Sequence, residues 1–185
     1  GPEPSQRTSL AIFISEAARV LKAPEAATTA SWAASWANLF GAETKGKPVV
    51  SAMVSGVVKA DQGEVDLPLI ADWPNRPLQK VCHETGKTAL TRWRVLRRDA
   101  DSTLLELTPV TGRSHQLRIH MREIGHPILG CDFYAPEAVL RAAPRLLLHA
   151  TRIRFQHPRS GQRLQGYSPA PAAFNPSRPR HRSAA

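Results

Sequence analysis

The pattern of apolar and polar positions divides the chain into an N-terminal helical part and a longer β-rich part. Within residues 1–47 an apolar run at 10–14 continues with helical spacing until Pro24, which predicts that a first helix ends there. A second, alanine-rich stretch carries Trp32, Trp36, Leu39 and Phe40 on one helical stripe. We interpret this stripe as part of a hydrophobic core, because aromatic residues at helical spacing are usually buried.

From residue 49 the period of the pattern changes to two. Val50, Ala52 and Val54 alternate with Ser51, Met53 and Ser55, and the alternation ends at Gly56, which predicts a strand. Residues 66–77, DLPLIADWPNRP, are rich in aspartate and proline and predict a loop. Two alternating segments then flank the turn RRDADS at 97–102, which predicts an antiparallel hairpin.

A helix is predicted after residue 113. Ser114 is the expected N-cap, and Gly125 is expected to stop the helix. Leu117, Met121 and Ile124 share one face, while Arg118 and Arg122, four positions apart, point in a common direction.

The remaining sequence predicts a short helix, two strands and a tail. The helix lies near 136–143, and the strands are RLLLHA (145–150) and TRIRFQH (151–157). The last dozen residues, FNPSRPRHRSAA, have the composition of a disordered basic tail. We therefore expect a divergent N-terminal segment at 1–47, one domain at 48–173 and a tail at 174–185.

The charge of the chain changes this picture by pointing to an acidic partner. The net charge is +10, and residues 1–50 contribute only five basic and four acidic residues to it. Nine arginines follow Glu137, which is the last acidic residue. Arginine pairs bidentately with phosphate, yet charge alone leaves a solvated basic surface and a nucleic-acid surface equally open.

Cysteine content and hydropathy restrict the compartment. Two cysteines form neither a disulfide framework nor a zinc cluster, which favours a reducing cytoplasm. No apolar run approaches the roughly 18 residues of a membrane span, so we expect no membrane partner. The chain begins with Gly-Pro and not with Met, which suggests a fragment, a processed form or an altered terminus.

Residues 111–130 contain three histidines and three arginines, and three kinds of site were considered for them. A metal site is disfavoured because His115 and His120 are five residues apart and lie on different helix faces. A Ser/His/Asp triad lacks its G-x-S-x-G elbow. The sequence TGRSHQ instead places Arg113 at a helix N-terminus, where it would pair with a phosphate or carboxylate or tie down a loop.

Several segments together resemble a known family. They are TPVTGRSHQLRIHM (108–121), IGHPILG (124–130), RLLLHATRI (145–153) and FQHP (155–158), in this order and spacing. They are similar to the C-terminal half of the RluA family of pseudouridine synthases. Residues 65–87 further resemble the family member that modifies both ribosomal RNA and tRNA, and the whole resemblance covers about residues 50–172.

The resemblance implies a fold, an activity and a set of partners. The fold would be α+β, with a mixed, mostly antiparallel sheet, flanking helices and an incomplete N-terminal part. The activity would be the isomerisation of uridine to pseudouridine in large-subunit rRNA, in the tRNA anticodon stem-loop, or in both, by a monomer without metal or cofactor. The target base would leave its stack to react.

The resemblance also assigns site residues. Arg113 would pair with the family's catalytic aspartate and keep it ionised, and Gln116 and Leu117 would support the uracil pocket. His126, beside Pro127, would be structural. The residues expected to contact RNA are Arg76, Ser114, His115, Arg118, His120 and Arg122.

The sequence departs from the family pattern at three places. The HRLD motif that carries the catalytic aspartate is absent, and the nearest aligned position is Ser5. Val50 stands where the family has a tyrosine that packs on the base, and Cys131, followed by Asp132, replaces the aspartate of ILGD.

Three explanations of the chain follow from these departures. A truncated or frame-shifted gene is favoured, because one shift explains the missing residues and the unusual N-terminus together. The alternatives are a catalytically dead RNA-binding module and a generic basic protein of the ribosome.

Overall fold

The structure is a computed structural model that describes residues 48–156 and 160–175. Its elements in chain order are β1 (Val49–Ser55), β2 (Gln62–Asp66), β3 (Leu69–Ala71), β4 (Gln79–Val81), β5 (Leu90–Arg98), β6 (Ser102–Pro109), α1 (Gln116–Glu123), α2 (Glu137–Arg141), β7 (Leu148–Gln156) and β8 (Arg163–Tyr167). Two short 3-10 turns lie at Trp73–Asn75 and Ala172–Phe174. The helices predicted before residue 47, the aromatic stripe and Ser5 lie outside the described residues.

Six strands form one antiparallel sheet. Their order is β2-β5-β6-β1-β7-β8, and each neighbouring pair is antiparallel. β3 and β4 form a separate two-stranded hairpin. The α+β class with a mostly antiparallel sheet and flanking helices is confirmed, and the predicted hairpin around residue 100 is the β5–β6 pair.

The core lies on both faces of the central strand β1. On one face Ala52 and Val54 pack with Leu105 of β6 and with Ile119 and Met121 of α1. The other face is covered at one end by a smaller cluster of Met53, Leu147 and Phe174. The polar Ser51 of β1 is therefore buried as well, and its Oγ forms a 2.6 Å hydrogen bond with Thr151 Oγ1.

Helix α1 ends as predicted but begins differently. Gly125, at φ 83°, donates its N–H to the Arg122 carbonyl, and the His126 N–H reaches the Met121 carbonyl at 3.0 Å. These two bonds form a Schellman motif, for which a glycine at positive φ is preferred. The N-cap residue is His115, at φ 55°, with no side-chain capping bond, so the prediction of Ser114 as the cap was wrong.

Three other local predictions need correction. The loop predicted over 66–77 contains β3 and a 3-10 turn, because Leu69 and Ala71 pair with β4 beyond the prolines. The two strands predicted after residue 145 are one continuous strand, β7, and β8 was not predicted. Phe174, which was assigned to the tail, is 1% exposed and lies in the core, whereas residues 176–185 lie outside the described range.

Candidate functional site

The loop between β6 and α1 is held by the side chain of Gln116. Its amide oxygen accepts hydrogen bonds from Thr111 Oγ1 at 2.8 Å and from the Arg113 backbone N–H at 3.0 Å. Its amide nitrogen donates to the Leu90 carbonyl and to Thr91 Oγ1, both at 3.0 Å. The Gln116 side chain therefore connects the loop to β5 and fixes the backbone at Arg113. Because this side chain is buried, it is not available to bind RNA directly.

Arg113 projects from this loop over the segment that follows β4. Its Nε donates to the Thr88 carbonyl at 3.0 Å, and its side chain is exposed. Lys87, the residue before Thr88, is also exposed, and its backbone is paired with Leu69 of β3. Among residues 48–156 and 160–175 neither side chain has a carboxylate within ion-pair distance. We call Lys87 and Arg113 the cationic patch.

His115 links the start of α1 to two other segments. Its Nδ1 lies 2.6 Å from the Tyr134 hydroxyl, which in turn accepts the Gln79 N–H at 3.0 Å. Burial and the nearby Arg118 guanidinium lower the pKa of His115, which favours the neutral imidazole. In the tautomer with its proton on Nε2, Nδ1 accepts the hydrogen bond of the Tyr134 hydroxyl. Burial likewise raises the pKa of Tyr134 and keeps its proton in place.

His120 lies in the interior and not on an RNA-facing surface. Its Nδ1 is 2.8 Å from Thr91 Oγ1, and its Nε2 is 3.0 Å from the Leu67 carbonyl. Desolvation lowers the pKa of His120, partly offset by the hydrogen bond to Leu67. The expected RNA contact of His120 is therefore wrong, because the side chain is fully buried and both ring nitrogens have protein partners.

Arg118 and Arg122 point in the same direction, as predicted, and both lie near the Tyr134 ring. Arg118 forms an ion pair with Asp132, donates to Cys131 Sγ and is only 12% exposed in its side chain. This guanidinium is engaged inside the protein, so the expected RNA contact of Arg118 is not supported. Asp132 serves as its partner although Cys131 occupies the usual aspartate position. Arg122 is more open and pairs with Glu123 at 2.5 Å.

The other residues that were expected in the site lie on several different segments. Ser114 is exposed beside Arg113, and Leu117 is partly buried against the main core. Arg76 lies on the β3–β4 hairpin, with its guanidinium carbon 3.5 Å from the centre of the Trp73 ring. His126 Nδ1 lies 2.8 Å from the Ser55 carbonyl, a contact that ties the end of α1 to β1.

The sequence patterns did not single out three residues that the structure draws attention to: Lys87, Tyr134 and Trp73. Nothing in the local pattern distinguishes Lys87 or Tyr134, since their importance comes from residues distant in the chain. The exposed Trp73 carried a signal, because a tryptophan between aspartate and proline in a loop has no core to enter.

The position expected for the family's tyrosine is aliphatic and enclosed. Val50 is 8% exposed and is paired with Leu107 and Ala150 in the centre of the sheet. Its side chain has neither the ring nor the hydroxyl with which a tyrosine would contact a base.

The described residues contain no group of three or more histidine, cysteine, aspartate or glutamate side chains placed to hold a metal ion. No helix in the same residues is both long and apolar enough to cross a membrane. Cys82 and Cys131 are not bonded to each other.

The family model described as RNA pseudouridylate synthase matches residues 36–123. The chain is 55% identical over 109 residues to the dual-specificity RNA pseudouridine synthase RluA of Vibrio cholerae, covering 59% of this chain and 44% of that protein. It is 51% identical over 129 residues to the protein of the same name in Escherichia coli, covering 69% of this chain and 59% of the relative. The chain thus spans about half the length of the curated relatives it matches.

Solved structures of the same fold are similar to this chain. Human RNA pseudouridylate synthase domain containing 1 superposes with a TM-score of 0.62 at 23% identity, covering 75% of this chain and 60% of that one. Human RNA pseudouridylate synthase domain containing 4 gives a TM-score of 0.58 at 22% identity, covering 78% and 65%. At these identities the similarity is one of fold.

Proposed function

The chain belongs to the RluA family of pseudouridine synthases, and we propose that it binds structured RNA as part of an enzyme that isomerises uridine to pseudouridine. In this reaction the bond between uracil N1 and ribose C1′ breaks and a bond between C5 and C1′ forms. N1 gains a proton and C5 loses one to water, so no cofactor or metal is consumed. The target is a uridine in large-subunit rRNA, in a tRNA anticodon stem-loop, or in both, and the protein acts as a cytoplasmic monomer.

The observation that carries this proposal is the cationic patch. Arg113 is held from two sides, by the Gln116 amide at its backbone and by the Thr88 carbonyl at its side chain. Only its Nε is used by Thr88, so the two terminal nitrogens remain to donate to an anion. Lys87, the residue before Thr88, is exposed and adds a second positive charge to this segment.

A guanidinium that is held in place suits two negative groups in this reaction. One is the RNA phosphate backbone, whose binding releases counterions and weakens as salt rises. The other is the catalytic carboxylate of the family, which a nearby guanidinium would keep ionised and oriented. This chain lacks the HRLD motif that carries that carboxylate, and the nearest aligned position, Ser5, lies outside the described residues.

A second candidate function, RNA binding without chemistry, is favoured by one observation. Val50 fills the position of the family's tyrosine and faces the core. Together with the absence of HRLD from the sequence, this predicts a chain that recognises RNA but does not convert uridine.

Tritium release from RNA labelled at uracil C5 separates the two functions. The substrates are a large-subunit rRNA fragment and a tRNA anticodon stem-loop, each tested for binding and for release. The variants are Arg113→Ala and, as a matched control, Arg154→Ala, an exposed arginine of β7 whose contact is Gln165.

We expect salt-dependent binding that Arg113→Ala weakens by roughly tenfold, as for the loss of one charge-assisted contact of about 1.5 kcal/mol, while Arg154→Ala changes it less than twofold. Release of tritium by the wild-type chain would establish the enzyme, and binding without release would establish the RNA-binding module. Binding that ignores Arg113→Ala would overturn the proposed site and indicate a generic basic protein.

A further inference from the structure

Trp73 and Arg76 form an exposed stacked pair on the β3–β4 hairpin. The guanidinium carbon of Arg76 lies 3.5 Å from the centre of the Trp73 ring, which is the geometry of a cation–π contact. Trp73 remains 66% exposed although Arg76 lies against it. A tryptophan this exposed loses the free energy that burial of its ring would provide, so its position calls for a partner.

The hairpin tip that carries the pair is held by its own hydrogen bonds. The Asp72 N–H donates to the Leu78 carbonyl at 2.9 Å, and the Asn75 N–H donates to the Asp72 carbonyl at 2.9 Å. The Asp72 carboxylate accepts from Asn75 Nδ2 at 2.9 Å and lies 3.3 Å from Lys80 Nζ. The Asp72 carboxylate, four residues before Arg76, is therefore engaged by other residues, and in the described part of the chain Arg76 has no ion-pair partner.

Two connections join this hairpin to the segments that carry the cationic patch. Lys87 pairs through its backbone with Leu69 of β3. The Gln79 N–H at the start of β4 donates to Tyr134, which contacts His115, two residues after Arg113.

We propose that Trp73 is a stacking platform for an unpaired base of the bound RNA, and that Arg76 holds the indole in position and contacts an adjacent phosphate. The inference rests on the proposed RNA-binding function and names the form of RNA that the site prefers. A flat aromatic surface beside an unpaired cation fits a nucleotide, because the base stacks on the ring and its phosphate pairs with the guanidinium. A duplex offers the phosphate but not the face of a base.

Two other exposed aromatic residues lack this combination. Phe133 has the His115 ring stacked 5.7 Å away and lies beside Arg118, which is already paired with Asp132. Tyr167 is 67% exposed but lies on β8, at the opposite edge of the large sheet from β2. Tyr167 therefore provides a control of matched exposure.

The test compares two fluorescein-labelled RNAs, a stem-loop with a uridine-containing loop and a blunt duplex of the same length, by fluorescence anisotropy. We expect Trp73→Ala to weaken binding of the stem-loop about tenfold, as for the loss of one stacked base. Binding of the duplex should change less than twofold. Trp73→Phe should keep part of the affinity, and Tyr167→Ala should bind both RNAs as the wild type does.

Intrinsic fluorescence gives an independent readout. Unlabelled oligouridine should quench tryptophan emission of the wild-type chain, and the quenched fraction should fall in Trp73→Phe, which removes only this indole. A stem-loop affinity and a quenching signal that Trp73→Ala and Trp73→Phe leave unchanged would overturn the inference.

The outcomes also separate this inference from the proposed function. If binding still depends on Arg113 but not on Trp73, the RNA-binding function stands and Trp73 faces some other partner, such as a protein. Equal weakening of stem-loop and duplex by Trp73→Ala would refute stacking. If the wild-type chain binds neither RNA, both proposals fall.

Discussion

Replacement of Gln116 by alanine tests whether one buried amide positions the site. The variant loses four hydrogen bonds, two toward the loop at Thr111 and Arg113 and two toward β5 at Leu90 and Thr91. Water reaches the loop end, because Arg113 is exposed and Thr111 is partly exposed, so these two losses are partly compensated.

The two hydrogen bonds from Gln116 to β5 determine how far the free energy of unfolding falls. Thr91 is fully buried and the bond that joins it to Gln116 is buried, so its hydroxyl loses a donor that water does not replace. At about 1–2 kcal/mol for each interior bond, with a smaller contribution from the cavity, the free energy of unfolding should fall by about 3 kcal/mol. That is a large part of the roughly 5–15 kcal/mol by which a domain is stable.

Urea unfolding followed by circular dichroism measures the loss, with Ser114→Ala as the control. Ser114 is exposed and makes no capping bond, so its replacement should change the free energy of unfolding by less than about 0.5 kcal/mol. RNA affinity of folded Gln116→Ala should also fall, because the Arg113 backbone is no longer fixed. A decrease of less than about 1 kcal/mol in the free energy of unfolding would refute the conclusion that Gln116 holds the loop before α1 against β5.

Two further predictions concern stability. Burial lowers the pKa of His115, His120 and His149, so the unfolded chain binds more protons than the folded one, and the free energy of unfolding should decrease as pH falls below about 6.5. Urea midpoints between pH 8 and pH 5 measure this loss. The loss should be smaller in His120→Gln and the same as in the wild type in the control His83→Gln, whose side chain is exposed. A urea midpoint that does not change with pH would contradict the prediction. Phe174→Ala should reduce the free energy of unfolding by about 3–5 kcal/mol, because the ring is buried against Met53 and Leu147; thermal unfolding checks this, and an unchanged midpoint would return Phe174 to the tail.

Periodic patterns predicted the elements whose form is decided by near neighbours. Leu117, Met121 and Ile124 set the face of α1, and Gly125 set its end, since both depend on residues within one or two turns. The strand β1 and the β5–β6 hairpin were predicted for the same reason. The hairpin of β3 and β4 was missed because its strands are short and its interior contains prolines, so no alternation develops.

Polar residues of the site were harder to place than apolar ones. Gln116 and His120 lie on the same helix as Arg118 and Arg122 and are polar like them, yet they form one buried chain of hydrogen bonds through Thr91. Their partners lie 25 and 29 residues earlier in the sequence. A pattern read along the helix has no access to such partners, which is why His120 was assigned to RNA.

The net charge of the chain also overstates the number of basic side chains that are free to contact RNA. The sequence directed attention to the arginines after Glu137, but four of those in the described range have side-chain contacts within the protein. Arg141 pairs with Glu137, Arg152 with Glu106 and Arg154 with Gln165, whereas Arg145 lies near the Phe174 ring.

Three of the described cations without acidic partners lie outside the strands of the six-stranded sheet. They are Arg76, Lys87 and Arg113, and they belong to the β3–β4 hairpin, the segment after it and the loop before α1. An exposed ion pair contributes little to stability and cancels much of the field that a phosphate would feel. If the chain binds RNA as proposed, the distribution of carboxylates would direct the RNA to these three cations more than the number of arginines would.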